Sequence, residues 1–340
     1  MLVIEKEKIE ELMEKLSEGF SVFAPVKRKD GECSFEKFEK NYELDFGYTA
    51  TVLPAKKFFF PEKEEILIYN AKNKKISSPS HLKKFILFGL NNRDLEALSH
   101  LDEVMKKPLE DFYYLQKRKS ATVIGVLNGD ETKNSAPYFL SADLLLKKTR
   151  ENTYEVVTVT SKGRDITKDN LFKENGVLRE DSRFSSGENK EIMPRLRELL
   201  LDPELLNNAV KWSWNNQKDL WENLGKKCLG CGICTYVCPL CYCFSMEEKH
   251  GLDGALCSRV RCWTACTLPE FNRVSGGYNF HKTLKERYYN WYHHKFVRAY
   301  IEYGKSQCVA CGRCQKYCPA RIDIEKVLIE ITESYKSQLK

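Results

Sequence analysis

CLGCGICTYVCP at residues 228–239 and CVACGRCQKYCP at residues 308–319 are the stretches on which the reading of this chain turns. Both follow C-x-x-C-x-x-C-x-x-x-C-P, a spacing in which three close thiolates wrap one face of a four-iron cube and the fourth reaches a second cube. On that pattern one ligand set is Cys228, Cys231, Cys234 and Cys318, and the other is Cys238, Cys308, Cys311 and Cys314. Zinc also accepts four thiolates, but its motifs come as cysteine pairs rather than triplets closed by Cys-Pro. Two [4Fe–4S] clusters are therefore the expected cofactors. Pro239 and Pro319 restrain the turn after each fourth cysteine and carry no N–H. Gly230, Gly232 and Gly312 let the backbone approach sulfur, where N–H groups favour the more negative, reduced cube.

The remaining composition agrees with a metal-bearing interior rather than a disulfide framework. Of the 14 cysteines, all but Cys33 fall between Cys228 and Cys318, whereas disulfide scaffolds spread them through short secreted chains. Cys33 reads as a plain thiol. At 340 residues, 42% hydrophobic and 30% charged, the chain is long enough for two cores. No apolar run approaches the roughly 20 residues that cross a bilayer. The first residues, MLVIEKEKIEELMEKL, are charged and amphipathic and lack the apolar stretch of a secretion signal. A cytoplasmic protein without a membrane span is expected. The formal net charge of +7 treats every cysteine as neutral. Two oxidised cubes of roughly −2 each would bring it to about +3, so the basic excess argues little for nucleic acid.

An α+β protein is expected, with an N-terminal mixed α/β domain followed by a dicluster ferredoxin-like module carrying a long insertion. Residues 1–190 read as the scaffold or docking domain. Its expected elements are a helix near Lys8–Leu16 and strands at 21–28, 65–69, 85–90, 121–127 and 153–160. Between them, 48–61 is extended and interrupted by Pro54, and a helix at 92–105 places Leu95, Leu98, Leu101 and Val104 at helical spacing. Strand–helix–strand order suits an α/β layer. No G-x-G-x-x-G opens a helix and no Walker A lysine is present, so no intrinsic nicotinamide or flavin site is expected. A Gly- and Ser-bearing stretch at 181–190 leads to a helical linker at 191–227, where Trp214 and Trp221 can share a face. The module runs over 228–340, with its insertion at about 244–307 and a closing helix in IDIEKVLIEITESYKS.

Two features of the module exceed what two cubes require. Cys241, Cys243, Cys257, Cys262 and Cys266 remain unassigned, and a third iron–sulfur site is one reading of them. Cys241, Cys243, Cys266 and Cys262 would form that set, with Cys257 as the alternative fourth ligand. The other feature is the basic and aromatic run HKTLKERYYNWYHHKF at 281–296. Lys282, Lys285, Arg287 and Lys295 read there as contacts for an acidic partner surface. Tyr288, Tyr289, Trp291 and Tyr292 could otherwise stack nucleic-acid bases, and His281, His293 and His294 read as a solvated face.

The chain resembles the beta, iron–sulfur subunits of cytosolic sulfhydrogenases of the nickel–iron hydrogenase type, and is similar to the related iron–sulfur subunit of anaerobic sulfite reductase. The matching residues are CLGCGICTYVCPLCYCF (228–244), RCWTAC (261–266), GGYNFHKTLKERYYNWYHHKF (276–296) and CVACGRCQKYCPARIDI (308–324). In the N-terminal half they are TVLPAKKFFFP (51–61), FILFGLNNRDLEALSHLD (85–102) and ATVIGVLNGD (121–130). The resemblance implies the two ligand sets above and adds cysteine positions at Cys241, Cys243 and Cys266. It also exposes a departure: family members often carry cysteine where this chain has Arg93 and in the segment matching VLNGDETKNSAPYF (126–139), which has none. A cluster held by those thiols would be lost here.

By resemblance the chain is a non-catalytic electron-transfer subunit of an anaerobic oxidoreductase complex. It would pass single electrons between a flavin-containing, NAD(P)-reactive subunit and a terminal hydrogenase subunit, or a siroheme sulfite reductase subunit, with soluble ferredoxin as a further donor. Catalysis then belongs to neighbouring chains. Two readings of other classes stand beside it: a sulfur-compound reductase acting at an incompletely ligated third cluster, and a nucleic-acid-associated iron–sulfur protein.

Overall fold

The apolar runs at 85–90 and 121–127 become buried parallel strands in the computed structural model, which describes residues 2–78, 83–128, 138–149, 152–174, 192–252 and 254–339. The cysteine-free segment centred on 129–137 and the Gly- and Ser-bearing stretch at 181–190 lie outside the described residues. The described strands are, in chain order, β1 (Leu2–Glu5), β2 (Ser21–Lys27), β3 (Cys33–Lys37), β4 (Lys63–Asn70), β5 (Lys75–Ser77) and β6 (Phe85–Leu90). They continue with β7 (Ala121–Leu127), β8 (Leu144–Lys148), β9 (Thr153–Thr158), β10 (Lys173–Glu174), β11 (Phe244–His250) and β12 (Leu256–Trp263). The chain divides into two compact units, Met1–Phe59 with His81–Glu191, and Phe60–Ser80 with Ile192–Lys340.

The first unit is built on a mixed sheet in the order β10-β1-β9-β8-β7-β6-β2-β3. Its centre, β2-β6-β7-β8, is parallel, and the flanking pairs are antiparallel. Parallel strands covered on both faces read as continuous apolar runs, which is why FILFGL and ATVIGVL lack polar alternation. The helix Lys8–Gly19 contributes Ile9, Leu12 and Met13 to a core with Ile86, Phe88, Ile124 and Leu146. The helix Asn92–Val104 is capped by Asn91, whose side chain accepts from the Asp94 N–H at 2.9 Å. Leu95 of that helix packs where Gly125 has no Cβ: a methyl there would lie 2.8 Å from Leu95 Cδ1.

Residues 48–61 differ from the extended segment expected. Pro54 ends the extended path, and Ala55–Phe58 turns into a short 3₁₀ helix that buries Ala55 and Lys56. Proline fixes the backbone angle that starts such a turn, so it redirects the chain rather than merely interrupting a strand.

The second unit contains the cysteine motifs and a four-stranded antiparallel sheet, β11-β12-β4-β5. Sequence order alone assigns β4 and β5 to the domain of the first 190 residues. They sit instead with the insertion, because β4 pairs along β12 from Cys262↔Lys63 to Leu256↔Asn70. Side-chain chemistry reinforces that pairing. Arg261, almost fully buried, binds Glu64 at 2.7 Å and lies over the Phe60 ring, 4.5 Å from its centroid. The Trp263 indole N–H donates to the Phe60 carbonyl at 3.0 Å. A one-dimensional pattern carries none of this, since the pairing joins strands that are far apart in the chain.

Residues 191–227 are expected to be helical and form the helices Pro194–Leu199, Pro203–Asn216 and Lys218–Lys227. They contribute Leu196, Leu206, Val210, Trp221 and Leu224 to one core with Tyr292, Phe296, Ile324 and Leu328. Trp214 and Trp221 share a target, lying 4.4 Å and 4.9 Å from the Tyr289 ring centroid. The fold is thus mixed α/β in its N-terminal region and dicluster ferredoxin-like in its C-terminal region, where the insertion separates the two cysteine motifs.

Gly163 offers a test of the first unit. A Cβ there would stand 2.0 Å from the Asp143 carbonyl oxygen, a backbone atom with little room to yield. Gly163→Ala is expected to destabilise the full chain by about 2 kcal/mol, read as a lower urea midpoint, and an unchanged midpoint would contradict that packing.

Candidate iron–sulfur centre

The two C-x-x-C-x-x-C motifs adopt the same local path. Gly232, at φ +79°, precedes the helical turn Ile233–Tyr236, and Gly312, at φ +73°, precedes the turn Arg313–Lys316. These left-handed positions suit glycine, and space forbids a side chain as well. A Cβ on Gly232 would lie 2.8 Å from Ala265 Cβ, and one on Gly312 would lie 2.6 Å from Ile192 Cγ2. Each loop also turns N–H groups toward sulfur: Gly230 to Cys228 at 3.4 Å, Leu240 to Cys238 at 3.4 Å, Ala310 to Cys308 at 3.5 Å and Ile322 to Cys318 at 3.4 Å.

Two cavities open among these loops. One, of about 30 Å³, is lined by Cys228, Cys231, Cys234 and Cys318, with Cys314 also on its wall. The other, of about 20 Å³, is lined by Cys238, Cys308, Cys311 and Cys314. The fourth cysteine of each motif therefore faces the cavity of the other motif's triplet. Apolar walls complete both enclosures: Tyr288, Trp291, Ile322 and Ile324 around the first, Met193, Leu196, Leu240 and Val309 around the second. Among the described residues no three His, Cys, Asp or Glu side chains gather to hold a single metal ion. The thiols surround a space instead of converging on a point, and a polynuclear cluster takes its ligands that way. The donor set and the inward N–H groups fit a four-iron, four-sulfur cube.

Burial controls the thiols themselves. It pushes Cys234 up to about 12, helped by Cys228 nearby, and pushes Cys308 to about 12. Without metal both are protonated at neutral pH, so iron must displace protons to bind.

The extra cysteines divide between two parts of the second unit. Cys241 lies beside Cys238 and Cys243, and Cys243 beside Cys266, whose sulfur also meets Thr235 Oγ1 at 3.9 Å. Cys262 and Cys257 lie elsewhere on β12, opposite Ser245 and His250 in the hairpin. The hairpin places Cys257 near its far end, whereas Cys262 stands near its base, two residues from Thr264, whose N–H donates to the Cys243 carbonyl at 3.1 Å.

The basic and aromatic run departs furthest from expectation. Tyr288, Trp291 and Tyr292 are core residues, so they present no face on which a base could stack. Of the four cations expected on a partner surface, Lys282 is exposed. Lys285 is half-buried, paired with Glu222 and placed over Trp214. Arg287 donates to the carbonyls of Thr267, His281 and Lys282. Lys295 is only 3% exposed, and its ammonium donates to Cys238 Sγ at 3.0 Å and to the Gln307 carbonyl at 3.2 Å. Burial opposes its charge, yet Cys238, Cys241 and Cys308 hold it well above the usual lysine value.

The signal for Lys295 is present in the spacing. Tyr288, Trp291, Tyr292 and Lys295 stand at i, i+3, i+4 and i+7, the pattern of one buried helix face. A lysine on such a face needs an anionic or dipolar partner, and the cysteine motif supplies it. The histidines separate: His281 Nδ1 meets Asn272 Oδ1 at 2.8 Å, His293 packs on Tyr289, and His294 approaches the Tyr242 hydroxyl at 3.4 Å. Burial lowers His294 to about 4, leaving it neutral.

Comparison with known proteins agrees with this geometry. The 4Fe-4S dicluster domain family matches residues 227–322. The "Sulfhydrogenase 2 subunit beta" of Pyrococcus furiosus is 30% identical over 331 residues, covering 95% of this chain and 96% of that protein. No solved structure matches the chain. No helix among the described residues is long and apolar enough to cross a membrane.

Single replacements separate the cavity cysteines from the others. After anaerobic reconstitution, Cys231→Ser is expected to lose about half of the roughly 8 iron atoms bound per chain, whereas Cys257→Ser and Cys262→Ser keep them all. Loss of about four iron atoms in Cys262→Ser, measured by iron analysis, would place that thiol on a cluster.

Proposed function

This chain belongs to the ferredoxin-type iron–sulfur subunits related to the sulfhydrogenase beta subunit, and from that premise we propose that it relays single electrons between a flavoprotein and a terminal metalloenzyme subunit. Cys228, Cys231, Cys234 and Cys318 would hold one [4Fe–4S] cluster, and Cys238, Cys308, Cys311 and Cys314 the other. When bound, such clusters exchange one electron at a time and activate no substrate at a fully ligated iron.

The observation that carries the reading is the pair of adjoining, fully thiol-ringed cavities. Cys314 and Ile324 line both, so two redox centres would share a wall. The chain's own residues then have three tasks. The cysteines fix the centres, the apolar walls shield all their sulfurs but that of the exposed Cys231, and the N–H groups of Gly230, Leu240, Ala310 and Ile322 stabilise added negative charge. Turnover of hydrogen or of a sulfur compound would belong to a neighbouring chain, with a sulfhydrogenase the complex favoured by the relative's name.

The test is anaerobic affinity purification of the tagged chain from its native cell, followed by identification of stoichiometric partners. The expected set is a flavoprotein and hydrogenase subunits, with the flavin reducing the chain's clusters on addition of a nicotinamide. A siroheme subunit in their place would change the terminal enzyme and keep the relay. Recovery of the iron-loaded chain alone, with no flavoprotein able to reduce it, would overturn the proposal.

A further inference from the structure

The second cavity contains a cation that the first does not. Lys295 lines it together with Cys238, Cys308, Cys311 and Cys314. Its ammonium lies 3.0 Å from Cys238 Sγ, and the residue is almost wholly withdrawn from solvent. The placement is built by several independent features. Lys295 falls in a six-residue π-helical turn, His293–Arg298, between the α-helical segments Leu284–Tyr292 and Ala299–Tyr303. Such wide turns are rare and concentrate at functional sites. The Trp291 ring lies 5.1 Å beneath the ammonium, and the Gln307 carbonyl takes another of its protons. Gln307 is itself held by donation to the Leu240 carbonyl at 2.7 Å.

The first cavity has no equivalent contact among the described residues. The cation coupled to Cys228 is Arg287, which is half-buried and directs its N–H groups to three backbone carbonyls.

A buried ammonium with no carboxylate beside it is expensive to maintain. Its compensation here is sulfur, and a cluster thiolate becomes a better partner as the cluster gains negative charge. We propose that Lys295 sets the order of reduction within this chain, raising the potential of the cluster held by Cys238, Cys308, Cys311 and Cys314 above that of its neighbour. This inference rests on the relay reading. The step it concerns is addition of one electron, supplied by the flavoprotein donor, with no bond made and no proton taken up. The reduced cluster carries one more negative charge, and the ammonium in contact with its ligand stabilises that charge in a low-dielectric enclosure. The first cluster is affected less, because Lys295 lines the second cavity and not the first, contacts Cys238 directly, and reaches Cys234 only through its longer-range field. An electron arriving in the chain therefore rests on the second cluster. Lys295 is a positioning residue for charge, acting through Cys238.

The test is an anaerobic redox titration followed by electron paramagnetic resonance on the full chain, wild type against Lys295→Met and Lys295→Arg. Wild-type protein should reduce in two resolved one-electron steps. Lys295→Met, similar in length and uncharged, should lower the more positive step and leave the other in place. Lys295→Arg should retain the separation. A Lys295→Met protein with both steps unmoved, or both moved equally, would overturn the inference. A direct measurement covers the case in which Lys295→Met does not load iron. Wild-type protein labelled with ¹⁵N at the lysine side-chain nitrogen, poised at the first step, should show a lysine nitrogen coupling in pulsed resonance spectra. Its absence there, with the cluster signal present, would equally overturn the assignment. Absence of any cluster signal in iron-loaded wild-type protein would instead remove the relay reading on which the inference stands.

Discussion

Everything in the second unit is subordinate to one constraint: two cysteine motifs separated by a long insertion must each send their last thiol into the other's loop. Cys318 faces the cavity of the first triplet and Cys238 that of the second. Neither cavity is complete without both segments, so folding of the unit and formation of its donor sets are the same event. Glycine at 232 and 312 permits the tight loop starts, and Ile192 and Ala265 fill the space that a side chain would need. The helices of 194–227 and Ile324–Gln338 then supply the apolar material that closes the enclosure.

Electrostatics follows from that enclosure. Burial holds Cys234 and Cys308 far toward the protonated thiol, a state that metal must reverse. The same low-dielectric setting makes any fixed charge near sulfur count for more than it would at the surface. Lys295 is therefore informative where an exposed lysine would not be. Its contact with Cys238 gives two motifs of the same cysteine spacing different surroundings, and in the relay proposed above that difference sets a resting place for the electron.

Much of this is legible in the amino-acid order itself. Motif spacing anticipates which cysteines line each cavity, and the parallel strands at 85–90 and 121–127 are legible because burial on both faces leaves no polar alternation. Two kinds of feature are not. The pairing of β4 with β12 joins residues far apart in the chain, and it depends on a register that local patterning does not contain. The run at 281–296 misleads by composition, since lysines and arginines beside tyrosines resemble a docking surface. Helical spacing is the better guide there: Tyr288, Trp291, Tyr292 and Lys295 share one face, and that face is core. The surplus cysteines show another limit, because the hairpin sets Cys257 near its far end while Cys241, Cys243 and Cys266 neighbour one another, a division that spacing alone does not reveal.

The most direct measurement is anomalous X-ray diffraction at the iron absorption edge from anaerobically grown crystals of the iron-loaded chain. Two four-iron sites are expected, one bound by Cys228, Cys231, Cys234 and Cys318 and the other by Cys238, Cys308, Cys311 and Cys314, with Lys295 against the second. Iron sites each held by the four cysteines of a single motif, or a single-metal site in place of either cluster, would contradict the exchange of fourth ligands on which the unit is built.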